Sequence, residues 1–129
     1  EMKKPNIELD IKDNRSGAVL TISDIDSDFT ELEYELIYLA QSEGQEIERG
    51  VAGGPTEIDD SRSVSEDLLF GTESCTTGVC KQRIDENVSG GTLIVRLINA
   101  DKQSWEIEKE FAIEESSSGY EAVFTSNAN

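Results

Sequence analysis

The chain has 129 residues, a length that fits one compact domain. It contains 28 acidic residues against 11 basic ones, which gives a net charge of -17, and it has no histidine. Nucleic acids and anionic membrane surfaces both require clustered Lys and Arg, so we expect neither partner. The absence of imidazole also excludes Ser-His and Cys-His nucleophile pairs and histidine-ligated metal centres.

Apolar residues fall in short runs that alternate with polar ones, which is the pattern of half-buried strands. In the most regular run, Leu32, Tyr34 and Leu36 share one face while Glu33 and Glu35 occupy the other. The pattern predicts seven strands, over residues 6–12, 18–25, 32–40, 46–51, 63–72, 93–98 and 105–113. Short strands joined by polar turns at this spacing predict an all-β fold, a seven-stranded antiparallel immunoglobulin-like sandwich. No apolar run approaches the length of about 18 residues that a membrane-spanning helix needs, so direct membrane insertion is not expected.

Three segments resemble the third, sixth and seventh strands of fibronectin type III domains and related modules of bacterial surface proteins. They are Tyr34-Glu35-Leu36-Ile37-Tyr38, the run from Gly90 to Leu97, and the strand from Trp105 to Phe111. The resemblance covers roughly residues 5–114. It implies a divergent sandwich of that type, and it transfers no binding residues, because the family's typical second-strand Trp and sixth-strand Tyr are replaced.

Cys75 and Cys80 enclose four residues that include Gly78. A redox motif would have two intervening residues, and a metal site would need further Cys or His ligands that the chain lacks. The alternatives are therefore a structural disulfide and two buried free thiols. We expect the disulfide, because the flanking residues are polar and neighbouring exposed thiols oxidise in an oxidising compartment.

The loops after the second, fourth and sixth predicted strands should lie at one end of the sandwich. They contain six aspartates: Asp24, Asp26, Asp28, Asp59, Asp60 and Asp101. The spacing of the first three is similar to the start of an EF-hand calcium loop, but Phe29 stands where that loop requires Gly, so an EF-hand is rejected. Two interpretations stay open, an irregular calcium site gathered from several loops and ordinary solvated loops.

One outer face of the predicted sandwich is a candidate binding surface. The sixth strand should lie between the third and the seventh, which places Arg96 among acids on both sides. These acids are Glu33, Glu35, Glu106, Glu108 and Glu110. Because one cation cannot neutralise five carboxylates, the excess either solubilises the exterior, reflects a high-salt habitat or forms a docking surface for a cationic partner.

Catalysis is not expected. A glycosidase needs two carboxylates held across a cleft, and a sandwich this small offers little cleft. The Gly53-Gly54 pair leads into Pro55 rather than into a Lys and a helix, so it does not form a phosphate-binding loop. We therefore predict a protein that is not an enzyme and has no cofactor, unless the calcium hypothesis holds.

Composition divides the chain into a sandwich domain over residues 1–115 and a Ser-rich linker with a short tail over residues 116–129. Within the tail, residues 120–125 regain strand propensity. Three interpretations compete: a frayed tail, the start of a neighbouring module, and a donor strand that completes the sheet of a neighbouring subunit.

These features predict a non-catalytic, extracellular or cell-surface module, acting as a spacer or as an adhesion-type interaction domain. Its expected partner is a protein or a cell surface, including neighbouring copies or modules of the same protein. One alternative is a filament or pilus subunit that assembles by donor-strand exchange through the C-terminal segment. Another is a calcium-dependent carbohydrate-binding module.

Overall fold

A computed structural model describes residues 4–12, 16–42, 44–117 and 119–125. This part of the chain forms ten strands. They are β1 (Asn6–Ile11), β2 (Gly17–Ser23), β3 (Phe29–Ser42), β4 (Gln45–Glu57), β5 (Val64–Leu69), β6 (Gly71–Thr76), β7 (Val79–Ile84), β8 (Glu86–Asn99), β9 (Ser104–Ser116) and β10 (Gly119–Thr125).

The strands form two main sheets and a separate hairpin. One sheet has the order β1-β2-β5, the other has the order β10-β9-β8-β3-β4, and β6 pairs only with β7. Every pairing is antiparallel. Side chains from both main sheets meet in one apolar core, so the fold is all-β and sandwich-like, as the alternating pattern predicts.

The core is built from alternate positions of each strand. On β3, Leu32, Leu36 and Tyr38 are fully buried, while Glu33 and Glu35 point to the opposite face. Burial of one such Leu side chain stabilises the fold by about 1.5–3 kcal/mol. The main sheets therefore pack through the faces that the period-two pattern marks as apolar.

The predicted count of seven strands is wrong, because three further strands form, and two of them lie in a segment without a clear apolar alternation. Strands β6 and β7 build a hairpin around Thr77 and Gly78, whose φ angles of 47° and 82° match a two-residue turn of type I′. Side chains near this turn, such as Val79, are exposed, so the described side chains at this end of the hairpin give no apolar alternation in the sequence. The third additional strand is β10.

Two glycine pairs that lie outside the predicted strand bounds are inside strands of the structure. Strand β4 continues through Gly53, Gly54 and Pro55, which is permitted because β4 is an edge strand and needs ladder bonds on one side only. Strand β8 starts at Glu86 and runs through Gly90 and Gly91. A Cβ atom at Gly91 would lie 1.9 Å from the carbonyl oxygen of Ile37, so this glycine permits a close approach of two strands rather than a turn.

Strand β10 pairs with β9 of the same chain, with Ala122 opposite Ile113 and Phe124 opposite Phe111. The inward-facing Tyr120, Ala122 and Phe124 pack against the core. The tail segment thus contributes a fifth strand to the larger sheet, while residues 126–129 lie outside the described residues. The division of the chain at residue 115 stays a prediction.

Candidate binding surfaces

The outer face of the larger sheet contains a charged row around Arg96. Strand β8 lies between β3 and β9, and the register places Arg96 opposite Glu33 on one side and Glu106 on the other. Its guanidinium donates to Glu106 Oε1 at 3.0 Å and to Glu33 Oε1 at 3.3 Å. Both hydrogen bonds raise the pKa of Arg96 above its usual value, and the bond to Glu106 has the larger effect.

The other predicted acids of this face lie in different rows. Glu35 and Glu108 flank Ile94, and Glu110 is opposite Thr92. All three carboxylates are exposed. The structure therefore brings Arg96 to two of the five acids and spreads the other three along the sheet.

A further row on this face is apolar, and the sequence interpretation missed it. It consists of Leu39, Gly90, Ala112 and Val123, each opposite the next on β3, β8, β9 and β10. Directly opposite residues of neighbouring strands point to the same side of a sheet. Leu39 is 38% exposed and Val123 is 37% exposed, so both ends of this apolar row face solvent.

The predicted aspartate rim is divided among separate local turns. Asp26 Oδ1 accepts a hydrogen bond from the backbone N–H of Asp28 at 3.0 Å. Asp59 Oδ1 accepts from both the hydroxyl and the backbone N–H of Ser61, and these bonds lower the pKa of Asp59. Asp101 lies in a turn where its N–H donates to Asn99 Oδ1 at 3.0 Å.

Arg62 joins two of these loops. Its Nε donates to the carbonyl of Ile25 at 3.1 Å, and its Nη2 donates to the carbonyls of Asp26 and Phe29. The cation therefore lies where a calcium site would need to gather carboxylates. Among the described residues, no three or more His, Cys, Asp or Glu side chains form a group that could hold a metal ion. Calcium binding stays a prediction without a defined site.

An open cleft of about 480 Å³ adjoins this loop end. Phe29 and Ile58 contribute apolar surface, while Arg62 and Lys102 contribute positive charge. Both cations already have partners, since Arg62 holds backbone carbonyls and Lys102 Nζ lies 3.3 Å from Glu31 Oε1. The two cations of the cleft are therefore already engaged within the chain.

The hairpin of β6 and β7 is closed by a disulfide. Cys75 and Cys80 are opposite each other, their Cα atoms are 4.0 Å apart, and both residues are exposed. Val79 at the tip is 60% exposed. The disulfide therefore pins the hairpin itself and contributes no buried surface to the core.

A buried polar cluster at the base of this hairpin also escaped the sequence interpretation. Asp85 Oδ2 accepts from the Tyr38 hydroxyl at 2.8 Å and from Arg49 Nε at 2.6 Å. The Tyr38 ring packs on Phe70, and the Asp85 N–H donates to the Phe70 carbonyl at 2.9 Å. Burial raises the pKa of Tyr38, and the hydrogen bond to Asp85 raises it further. The cluster fastens the base of the hairpin to β3 and β4.

Comparison with known proteins identifies no relative, since no family model, no curated protein and no solved structure matches the chain. Within the described residues, no helix has the length and apolar character needed to cross a membrane.

Proposed function

We propose that this chain is a non-catalytic interaction module of a secreted or cell-surface protein, built as a divergent immunoglobulin-like sandwich of the fibronectin type III kind. The strand order supports this class. The sheet β1-β2-β5 faces a sheet in which β8 lies between β3 and β9, and the two sheets enclose one core. This is the arrangement expected of an immunoglobulin-like domain, here extended by β10 and by the inserted hairpin.

The observation that carries the extracellular assignment is the exposure of the disulfide. Cys75 and Cys80 are both exposed on a hairpin that lies outside the two main sheets. Cytosolic thiol systems keep accessible cysteine pairs reduced, whereas secreted proteins retain such bonds. A hairpin that is cross-linked by an exposed disulfide suits an oxidising compartment.

An interaction role is supported by the outer face of the larger sheet. Within the described residues, the row of Glu33, Arg96 and Glu106 stays open to solvent.

 The exposed side-chain fractions are 31% for Glu33, 37% for Arg96 and 52% for Glu106. A sheet face that stays accessible and strongly acidic suits the docking of a cationic partner.

The assignment is tested on intact cells that make the protein. A membrane-impermeant amine reagent should label the exposed Lys81 and Lys102 before the cells are lysed. Alkylation of thiols before lysis, followed by mass spectrometry, should find Cys75 and Cys80 joined rather than alkylated. Labelling that appears only after lysis, together with two alkylated cysteines, would overturn the extracellular assignment.

A further inference from the structure

The strongest unassigned feature is the apolar row of Leu39, Gly90, Ala112 and Val123 on the outer face of the larger sheet. Within the described part of the chain, four large hydrophobic residues are exposed, and two of them, Leu39 and Val123, lie in this row. They are three strands apart, a distance of roughly 14 Å at the usual spacing between strands. Gly90 and Ala112 lie between them.

Because the two small residues in the middle of this row are less exposed than Leu39 and Val123 at its ends, we describe the row as a shallow groove. Gly90 has no side chain and Ala112 has only a methyl group, so the floor is low between the larger side chains of Leu39 and Val123. Gly90 is also fixed by its surroundings, since a Cβ atom there would lie 2.5 Å from the carbonyl oxygen of Phe111. The floor is thus set by backbone packing.

Exposed carboxylates frame the groove. On β4, Glu48 is opposite Leu39. On β9, Glu110 and Glu114 lie two residues before and two residues after Ala112. On β10, Glu121 is opposite Glu114. All four of these acids are exposed. An apolar strip with acids around it is complementary to a segment whose apolar side chains are flanked by Lys or Arg.

We propose that this groove binds a polypeptide segment of a partner protein, with apolar side chains over Gly90 and Ala112 and flanking Lys or Arg residues against the acidic frame. The proposal rests on the proposed function and specifies its partner class. A second copy of the chain does not fit, because it would bring the same acids, and a net charge of -17, against this face. An anionic membrane surface is disfavoured for the same reason.

The test is a selection from a library of random short peptides against the immobilised chain. Enriched peptides should combine apolar residues with Lys or Arg. A synthetic peptide of the enriched sequence should bind about tenfold more weakly to Leu39→Ser and to Val123→Ser, which is about 1.4 kcal/mol each. Val79→Ser is the matched control, since Val79 is exposed on the separate hairpin and its replacement should leave binding unchanged.

Several results would overturn the proposal: no enrichment, enriched peptides without apolar residues, or groove variants that bind the peptide as tightly as the unchanged chain does. If a groove variant fails to fold, the peptide is titrated into the unchanged chain and its amide chemical shifts are mapped. Shift changes that lie outside β3, β8, β9 and β10 would count against the groove. The selection does not depend on the compartment in which the chain resides. Failure of the extracellular assignment and failure of the groove are therefore distinguishable.

Discussion

Replacement of Asp85 by Ala should destabilise the fold more than removal of any exposed carboxylate. The Asp85 side chain is 2% exposed and accepts hydrogen bonds from the Tyr38 hydroxyl at 2.8 Å and from Arg49 Nε at 2.6 Å. In Asp85→Ala, the fully buried Tyr38 loses its acceptor and Arg49 loses its counterion. Both effects act against the folded state.

The magnitude follows from the exposure of the two partners. Removal of one member of a buried ion pair costs about 3–5 kcal/mol when the remaining charge is sealed from water. The Arg49 side chain is 35% exposed, so water can solvate part of its charge and lowers that cost. An unsatisfied buried hydroxyl costs about 1–3 kcal/mol. We therefore expect Asp85→Ala to lower the free energy of unfolding by about 2–4 kcal/mol.

Urea unfolding at neutral pH measures this loss. Tyr38→Phe should cost less, about 1–2 kcal/mol, because Asp85 keeps Arg49 as a partner. Asp67→Ala is the matched control, since Asp67 is 70% exposed and pairs with Lys12 at 2.8 Å, an arrangement worth about 1 kcal/mol or less. A loss below about 1 kcal/mol for Asp85→Ala, or equal losses for Asp85→Ala and Asp67→Ala, would refute the reasoning.

Three more predictions concern alkaline pH, the loop clamp and the disulfide. Burial raises the pKa of both Tyr34 and Tyr38, and Glu66 adds to the shift of Tyr34. The stability that these tyrosines contribute is therefore fully present below pH 10 and should fall as the pH rises above 10. Unfolding measured as a function of pH checks this prediction, and a constant free energy of unfolding above pH 10 would contradict it. Arg62→Ala should cost about 2 kcal/mol, because it removes the side-chain donor of three carbonyls, of which that of Asp26 keeps a backbone donor, the Phe29 N–H. Arg62→Lys should restore only part of this stability in thermal unfolding, whereas full restoration would show that charge alone suffices. The double variant Cys75→Ser/Cys80→Ser should lose at most about 2 kcal/mol of global stability. Its amide exchange should quicken in the hairpin and not in the core, and a collapse of core protection would contradict the separate placement of the hairpin.

The strands with one buried face could be predicted from the sequence. On β3 and on the second half of β8, alternating apolar side chains face the core, and the pattern shows directly which residues point inward. The contacts of Arg96 with Glu33 and Glu106 follow once β8 is placed between β3 and β9. Local periodicity and strand order together define this part of the outer face.

Other features depend on information that periodicity does not contain. The hairpin of β6 and β7 has exposed side chains around its turn, so it leaves no apolar alternation. Asp85 is a single acid whose partners Arg49 and Tyr38 are 36 and 47 residues away along the chain. The apolar row requires the register of four strands, including β10, before Leu39 and Val123 can be placed on the same groove.

The most direct test of the binding role is an amide chemical-shift map of the chain during titration with a peptide of alternating Leu and Lys. The proposal predicts that the largest shifts occur at Leu39, Gly90, Ala112 and Val123, and that a peptide of Lys alone produces much smaller ones. Shifts centred on the hairpin around Val79, or on the loop end around Arg62, would contradict it.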